Sequence, residues 1–235
     1  MLILGLNKTT LLDYPEHVAA TIFTGGCNFR CPFCHNKDLV FPCESTITPY
    51  TEDEILNFLK KRAGILTGVC ITGGEPTLQK DLPDFLARIK ELNLLIKLDT
   101  NGYRPDILKY LLHNELIDYC AMDIKNAPGK YNKTVGLSSC NLSLIQESVS
   151  FLLSMTGSFP YEFRTTIVRE LHSEDDMHVI SEWLKGANAY YLQSYTESDN
   201  IIMPGYHSHA PETLAAFRDI CLPNIPNTKL RGIDF

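Results

Sequence analysis

The sequence predicts an α/β fold in which helices cover a parallel sheet. The main observation is that apolar, β-rich runs alternate six times with segments of helical spacing, an order typical of parallel sheets. The length agrees, because 235 residues suit one α/β domain. The composition agrees as well, since 44% of the residues are hydrophobic and 21% are charged, which allows a large core.

Six segments are predicted to form strands, because each is a short run of apolar and β-branched residues. In chain order they are 17–23, 68–72, 94–99, 117–124, 161–168 and 189–195. Six βα units are two fewer than a closed barrel contains. The pattern therefore leaves open a partial barrel and a doubly wound sheet.

Helices are predicted between the strands, where apolar residues recur at helical spacing. In chain order they are 51–64, 80–92, 104–114, 141–155 and 173–186, with a short helix near 211–219. The first has a clear start signal, because Thr51 can act as its N-cap and Glu54 can complete a capping box. No repeat or linker interrupts the chain, so we expect a single domain over 1–235, with its core at about 17–196 and a tail at about 197–235.

Charge and hydropathy argue against several classes of partner. The formal net charge of -7 argues against nucleic acid, since phosphate binding usually requires a basic surface. The apolar run at the N-terminus is too short for a signal peptide. No stretch reaches the roughly 20 apolar residues that a membrane span requires. We therefore expect a cytoplasmic protein with neither a nucleic-acid nor a membrane partner.

Four segments with reactive or polar side chains directly follow predicted strands. They are GGCNFRCPFCHN (25–36), TGGEP (72–76), DTNG (99–102) and MDIK (122–125). In parallel α/β folds, active sites gather at the carboxyl ends of the strands. We therefore expect the four segments to meet at one face.

The first segment contains three cysteines, Cys27, Cys31 and Cys34, in the spacing C-x3-C-x2-C. Thiolates are soft ligands that suit zinc, copper(I) and iron–sulfur clusters. Cubane clusters normally use four cysteines, so three would leave one iron open for a substrate. The alternative is a zinc site completed by Cys43 or His35, although the chain lacks the second ligand pair typical of structural zinc.

The remaining five cysteines are scattered along the chain. They are Cys43, Cys70, Cys120, Cys140 and Cys221. The chain is too long and too apolar for a secreted disulfide scaffold. We therefore predict that these five are buried thiols.

The glycine-containing segments have a functional and a structural interpretation. Gly73 and Gly74 expose backbone carbonyls and permit close approach, and Glu75 can accept a hydrogen bond from an ammonium group. Asp99 and Asn101 can bind hydroxyl groups. The structural alternatives are a tight strand-to-helix turn and an Asn-Gly turn.

Charged residues on the later strands also admit two interpretations. Asp123 and Lys125 share one face by the period of two, and charges that face inward need partners. Arg164 shares a face with Glu162 and Thr166. An inward arginine could bind a carboxylate ligand or pair with Glu162. For Asp123 and Lys125, ligand contact and a structural ion pair both remain open.

The cysteine motif, with Phe33 before its last cysteine, resembles the signature of the radical S-adenosylmethionine (SAM) superfamily. ITGGEP at 71–76 is similar to the GGE segment of that family. LDTNGY at 98–103 resembles the segment that contacts ribose and methionine in activases of glycyl radical enzymes. The resemblance implies a partial (β/α)6 TIM-like barrel with parallel strands, the radical SAM core.

The resemblance also implies cofactors and residue roles. One [4Fe–4S] cluster would bind to Cys27, Cys31 and Cys34, with SAM on the open iron. Reduction would cleave SAM to methionine and a 5'-deoxyadenosyl radical, which abstracts a hydrogen atom. Further SAM contacts are implied for Phe33 at the adenine, for Gly73, Gly74 and Glu75 at the amino end, and for Asp99, Thr100 and Asn101 at the ribose. The SAM carboxylate or a substrate loop is implied for Asp123, Lys125 and Arg164.

Longer stretches, up to about residue 196, resemble the activating proteins of anaerobic ribonucleoside-triphosphate reductase. That resemblance implies hydrogen abstraction from one glycine of the reductase, with flavodoxin or ferredoxin as the electron donor. Three alternatives remain: an activase of the pyruvate formate-lyase type, a radical SAM enzyme for a small molecule such as a deazaguanine precursor, and a redox or zinc-binding module.

Two details of the chain bear on the resemblance. The gap between the cysteine motif and the GGE segment contains only Cys43 and Cys70, so we predict one cluster without a ferredoxin module. Family members often have glycine after the DYP sequence, where this chain has Glu16. We expect that substitution to alter a loop and nothing essential.

Overall fold

The computed structural model describes residues 1–42, 47–198 and 200–233. The backbone forms two compact units, each built from several stretches of the chain. Unit 1 contains Met1–Asn28, Asp38–Thr100 and Arg104–Cys120. Unit 2 contains Phe29–Lys37, Asn101–Tyr103 and Ala121–Phe235. Cys43 lies outside the described residues.

The strands confirm all six predicted ones and include two that the sequence did not predict. They are β1 (Ile3–Thr10), β2 (Ala19–Thr24), β3 (Gly68–Gly73), β4 (Leu95–Thr100), β5 (Tyr119–Asp123), β6 (Tyr161–Ile167), β7 (Tyr190–Ser194) and β8 (Thr228–Arg231). The predicted strands correspond to β2 through β7. The additional strands are β1 and β8.

The predicted helices are confirmed as well, most of them shorter by a few residues. The α-helices are α1 (Lys37–Val40), α2 (Glu52–Lys61), α3 (Leu82–Lys90), α4 (Pro105–His113), α5 (Tyr131–Thr134), α6 (Leu142–Ser154), α7 (Glu174–Trp183) and α8 (Pro211–Cys221). Short 3-10 turns lie at Pro76–Leu78 and Pro128–Lys130. The predicted capping box of α2 is present, because Thr51 Oγ1 accepts from Glu54 N and Glu54 Oε2 accepts from Thr51 N.

In unit 1, strands β1 to β4 lie side by side in chain order. The first pair is antiparallel, with Ile3 opposite Thr24. Strands β2, β3 and β4 are parallel, and β2 and β3 end level with each other because Thr24 lies opposite Gly73. The segment that carries the cysteine motif (25–36, the cysteine loop) and the TGGEP segment (72–76, the GGE turn) therefore begin at the same edge of the sheet.

In unit 2, strands β6, β7 and β8 are parallel and also follow chain order. Phe163 lies opposite Tyr190, and Tyr190 lies opposite Thr228. Neither unit shows the reversal of strand order that a doubly wound sheet requires. The α/β class with parallel strands is therefore confirmed, and the partial barrel is the architecture that agrees with the strand order.

Buried apolar residues form the core of each unit, as the strand patterns predicted. Cys70, Cys120 and Cys221 are fully buried, which confirms the prediction for those three thiols. Cys140 is partly exposed, so the prediction was wrong there, because this residue lies in the turn before α6. Across the described residues, every helix is too short or too polar to cross a membrane.

Candidate active site

In unit 1, backbone hydrogen bonds join the start of the cysteine loop to the GGE turn. After the level ends of β2 and β3, the carbonyl of Gly26 accepts a hydrogen bond of 2.8 Å from the backbone N–H of Glu75. The N–H of Gly74 donates to the carbonyl of Thr24 over 2.9 Å. These bonds hold the residue that precedes Cys27 against the GGE turn.

The two glycines of the turn are required by this close approach. Gly73 has a φ of +122°, and a Cβ on it would lie 2.3 Å from the backbone nitrogen of Thr24. A Cβ on Gly74 would lie 2.0 Å from the carbonyl oxygen of Gly26. Any larger residue would push the two backbone segments apart. The predicted contact of both glycines with the SAM amino group stays a prediction.

Glu75 is completely buried beside these glycines. Its Oε1 accepts hydrogen bonds from the Thr77 backbone N–H at 3.1 Å, from the Thr77 hydroxyl at 2.6 Å and from the Thr100 hydroxyl at 2.7 Å. Thr100 is the last residue of β4 and is also buried. A buried carboxylate is tolerable only with such donors. The sequence predicted Glu75 and Thr100, but it did not predict Thr77.

Asp99 has a cationic neighbour that the sequence analysis missed. The ammonium group of Lys97 contacts the carboxylate of Asp99, and the Lys97 side chain is 3% exposed. Its Nζ also lies 3.9 Å from Sγ of Cys70. The spacing of two residues in IKLDT (96–100) places Lys97 and Asp99 on one face of β4, so this pair could have been inferred.

The segment after β4 continues into unit 2 as an Asn-Gly turn. Asn101 is buried, and its Oδ1 accepts from the N–H of Tyr103 over 3.0 Å. Gly102 has a φ of +74°, and its carbonyl accepts from the hydroxyl of Ser148 at 2.7 Å. The structural alternative for this segment is thus present. A ribose contact of Asn101 remains a prediction.

The last two cysteines of the motif lie on a tight turn of unit 2. The N–H of Cys34 donates to the carbonyl of Cys31 over 3.0 Å. Cys31 is buried and Cys34 is partly exposed. The turn is anchored on both sides, because Arg30 N donates to the Val135 carbonyl and the carbonyl of Pro32 accepts from Met203.

Phe33 lies against aromatic residues of the C-terminal tail. Its ring makes edge contacts with Tyr195 and Tyr206 at centroid distances of 6.3 Å. His35 stacks on Tyr195 at 5.0 Å. Neither Tyr195 Oη nor His35 Nε2 has a hydrogen-bond partner among the described residues, although both atoms are buried. Burial raises the pKa of Tyr195.

A cavity of about 300 Å³ adjoins these rings in unit 2. Its lining consists of Tyr195, Glu197, Ser198, Ile201, Pro204, Gly205, Tyr206 and His207. Sequence reasoning included the cysteine loop but not this tail, because the tail carries no motif. The aromatic residues at 195 and 206 were the only available signal.

Asp123, Lys125 and Arg164 form one ionic triad in unit 2. Lys125 Nζ lies 2.9 Å from Asp123 Oδ2, and Arg164 Nε lies 2.9 Å from Asp123 Oδ1. Burial disfavours the charged form of Asp123, but the two cations outweigh it and hold its pKa well below the usual range. The pKa of Lys125 is raised against burial by Asp123 and by the thiolates of Cys31 and Cys34.

The structural ion pair expected for Asp123 and Lys125 is thus present. Arg164 contacts Asp123, and its alternative pairing with Glu162 stays a prediction. Arg231 of β8 holds Glu162 in a two-pronged contact of 2.8 and 2.9 Å. Arg231 lies far along the chain, so the pattern of one strand could not reveal it.

A buried histidine anchors the backbone beside the triad. Nε2 of His172 lies 2.9 Å from the carbonyl of Lys125, and Nδ1 lies 3.0 Å from the N–H of Val168. Nδ1 also lies 3.2 Å from the Val168 carbonyl; when Nδ1 accepts the Val168 N–H, Nε2–H donates to Lys125, the arrangement of the neutral ring. Burial lowers the pKa of His172 and favours that form. No spacing in the sequence identified this residue.

The donor chemistry of the cysteine motif suits an iron–sulfur cluster. Three thiols occur within eight residues, and Lys125 supplies positive charge close to two of them. Over 1–42, 47–198 and 200–233, no group of three or more histidine, cysteine or carboxylate side chains is arranged to hold a metal ion. The cysteines of the motif also belong to different units, Cys27 to unit 1 and Cys31 and Cys34 to unit 2.

Comparison with solved structures defines the class of the fold. The crystal structure of Streptococcus suis SuiB bound to S-adenosylmethionine matches with a TM-score of 0.69 and 13% identity, over 89% of this chain and 49% of that chain. SuiB bound to its precursor peptide SuiA matches with a TM-score of 0.70 over 90% of this chain and 48% of that one. The chain spans about half the length of these structures. The chain therefore shares the fold of SuiB.

The family follows from sequence comparison. The model of the Radical SAM superfamily matches residues 21–149, more than half of the chain. The chain belongs to the radical SAM superfamily and is an enzyme whose cofactors are a [4Fe–4S] cluster and SAM. These findings confirm the predicted class, fold and cofactors.

Relatives at higher identity include two proteins of Methanocaldococcus jannaschii, each named as a candidate glycyl-radical enzyme activating enzyme. MJ1227 is 32% identical over 200 residues, which cover 84% of this chain and 81% of the relative. MJ1632 is 30% identical over 77% of this chain and 68% of the relative. A GTP 3',8-cyclase of Hydrogenovibrio crunogenus is 29% identical over 73% of this chain and 52% of that protein.

Proposed function

We propose that this chain activates a glycyl radical enzyme by removing a hydrogen atom from one glycine of that partner. The observation that carries the proposal is the match with MJ1227, which extends over more than four fifths of both proteins. The cyclase match covers only about half of its own protein. We propose anaerobic ribonucleoside-triphosphate reductase as the partner, with flavodoxin or ferredoxin as the electron donor.

We propose Cys27, Cys31 and Cys34 as the ligands of the cluster. When bound, the cluster and SAM supply a 5'-deoxyadenosyl radical that can remove a hydrogen atom. The family model includes residues of both units, so we also propose that the whole chain works as one radical SAM domain. The cysteine loop would be held by its backbone bonds to Glu75 and Val135.

Each end of SAM has a proposed set of contacts. Phe33 and the cavity beside it would receive the adenine, a flat aromatic ring whose nitrogens could form hydrogen bonds with Tyr195 Oη and His35 Nε2. Asp99, Thr100 and Asn101 are proposed for the ribose side. Gly73, Gly74 and Glu75 are proposed for the amino group.

The triad suits the SAM carboxylate or the glycine loop of the partner. It places two cations, Lys125 and Arg164, around the carboxylate of Asp123. Arginine binds carboxylates with good geometry, and an ammonium group can add a further charged hydrogen bond. His172 would hold the backbone of Lys125 in place during binding.

The test is anaerobic electron paramagnetic resonance. Reconstituted, reduced protein is mixed with SAM and the reductase from the same source. We expect a glycyl doublet that disappears with Cys31→Ala and persists with the matched control Cys140→Ala. Wild-type protein that contains zinc but no labile sulfide would refute the radical mechanism itself.

A second candidate, a radical SAM enzyme for a small purine compound, is favoured by the cyclase relative. Its signature would be SAM cleavage without a protein radical. Suppose that the wild-type protein shows a reduced cluster and cleaves SAM in the presence of GTP, but gives no glycyl doublet with the reductase. That result would refute the activase proposal and support the second candidate.

A further inference from the structure

Residues 203–207 of the C-terminal tail form a short segment that is held at both ends within unit 2. At its start, the N–H of Met203 donates to the carbonyl of Pro32 over 2.8 Å. At its end, the carbonyl of His207 accepts from the N–H of Arg169 over 2.9 Å. The 203–207 segment therefore extends from the cysteine loop to the residues that follow β6.

Glu170 adds a two-pronged contact at the end of this segment. Its Oε2 accepts from the backbone N–H of His207 at 2.9 Å, and its Oε1 lies 2.8 Å from Nδ1 of the same residue. Burial acts against the charged form of Glu170, but the contacts with His207 outweigh it and lower the pKa of Glu170 to about 2. One carboxylate thus holds both the backbone and the ring of His207.

The 203–207 segment forms one side of the cavity beside Phe33, because Pro204, Gly205, Tyr206 and His207 all line that cavity. The ring of Tyr206, directly before His207, makes an edge contact with Phe33 at a centroid distance of 6.3 Å. A shift of the backbone at His207 would therefore move Tyr206. It would change the space in which a flat ring can pack against Phe33.

We propose that Glu170 is a positioning residue for SAM, which holds the 203–207 segment against Phe33 and thereby shapes the cavity that receives the adenine. The inference rests on the proposed function, because it takes this cavity as the adenine site. Glu170 is not among the described residues that line the cavity, so it would act through His207 and Tyr206. The cysteine signature does not indicate such a role, because Glu170 lies far from it along the chain.

The test compares SAM with S-methylmethionine, which keeps the sulfonium, amino and carboxylate groups but lacks the adenosine. Binding of each is measured by anaerobic equilibrium dialysis with cluster-reconstituted protein. In Glu170→Ala, SAM affinity should fall about tenfold, the effect expected for one lost hydrogen bond to a charged group. Affinity for S-methylmethionine should stay unchanged, because this ligand has no ring to place in the cavity.

Further variants separate positioning from charge and from stability. Glu170→Gln should recover most of the SAM affinity, because an amide can accept from the His207 N–H and donate to its ring. Gly205→Ala should act in the same direction as Glu170→Ala, since Gly205 has a φ of +96° and alanine would strain the segment although its Cβ meets nothing within 4 Å. The matched control is Glu174→Ala, which removes an exposed carboxylate at the start of α7 and should change neither affinity.

Two kinds of outcome would overturn the inference. Equal losses for SAM and for S-methylmethionine, or a loss of iron and labile sulfide in Glu170→Ala, would show a general structural role. Unchanged SAM affinity in both Glu170→Ala and Gly205→Ala would show that the 203–207 segment does not shape the adenine site. The glycyl doublet tests a different claim, because the protein could show the expected pattern of binding without activating the reductase.

Discussion

Replacing Gly74 by alanine should separate the GGE turn from the loop that carries Cys27. The added Cβ would lie 2.0 Å from the Gly26 carbonyl oxygen, and real Cβ contacts essentially never fall below 3.0 Å. The two backbones must therefore move apart by about 1 Å. Such a shift would break the 2.8 Å bond from Glu75 to Gly26 and displace the adjoining Cys27.

The expected loss of stability in Gly74→Ala is the sum of two contributions. Overpacking costs about 1–3 kcal/mol, and a buried backbone group left without its partner costs about 1–3 kcal/mol more. We expect the free energy of unfolding to fall by about 2–6 kcal/mol, which a domain of typical stability can survive. We also expect iron and labile sulfide to fall well below the wild-type content, because one ligand is displaced.

The assay is iron and sulfide analysis after anaerobic reconstitution, together with urea unfolding. Gly129→Ala is the matched control, since its Cβ would meet nothing within 4 Å. A Gly74→Ala protein with the full wild-type content of iron and sulfide would refute the claim that this backbone crossing positions Cys27.

Other perturbations test single features of the structure. Glu16 has a φ of +66°, and Glu16→Gly should raise the urea midpoint, because a left-handed L-residue costs roughly 1–2 kcal/mol. Lys97→Met should destabilise the protein by about 3 kcal/mol by leaving the Asp99 carboxylate without its buried cation, and Asp99→Asn added to it should recover part of the loss in urea unfolding. The pKa of Asp123 is held low in the folded state, so its contribution to stability is present above the ordinary aspartate pKa and is lost as pH falls through and below that value. In Asp123→Asn, the free energy of unfolding should therefore fall less steeply as the pH is lowered into the acidic range. The same steepness as in the wild-type protein would contradict the ionic triad. Burial raises the pKa of Cys221 to about 12, so iodoacetamide at pH 8 should leave it unlabelled in peptide mass spectra of the native protein.

The sequence predicted the parts of the fold whose pattern is local. Strands β2 to β7 are short apolar runs, and each was found within a few residues of its place. Strand β1 was missed because it is antiparallel and residues 7–9 are polar and exposed, which shortens its apolar run. Strand β8 was missed because its four residues are mostly polar and depend on pairing with β7.

In the candidate site, too, the sequence predicted residues that belong to local motifs but not their partners from distant parts of the chain. Motifs identified the cysteine loop, the GGE turn and the strand-end carboxylates. They did not identify Thr77 or His172, whose roles depend on which backbone or side chain lies beside them in space. Arg231 is 69 positions from its partner Glu162, so only the folded chain could reveal that pair. Glu16 occupies a left-handed conformation that favours glycine, and the expected change of the loop stays a prediction.

The aromatic residues that contact Phe33 bear on how relatives of this chain can be grouped. The family model ends at residue 149, whereas the tyrosines against Phe33 and the cavity beside it lie between 195 and 207. Proteins can therefore share the whole cysteine signature and still differ in what surrounds its aromatic residue. Grouping relatives by the segment around Tyr195 and Tyr206, and not by the signature, would separate them by the residues that line this cavity.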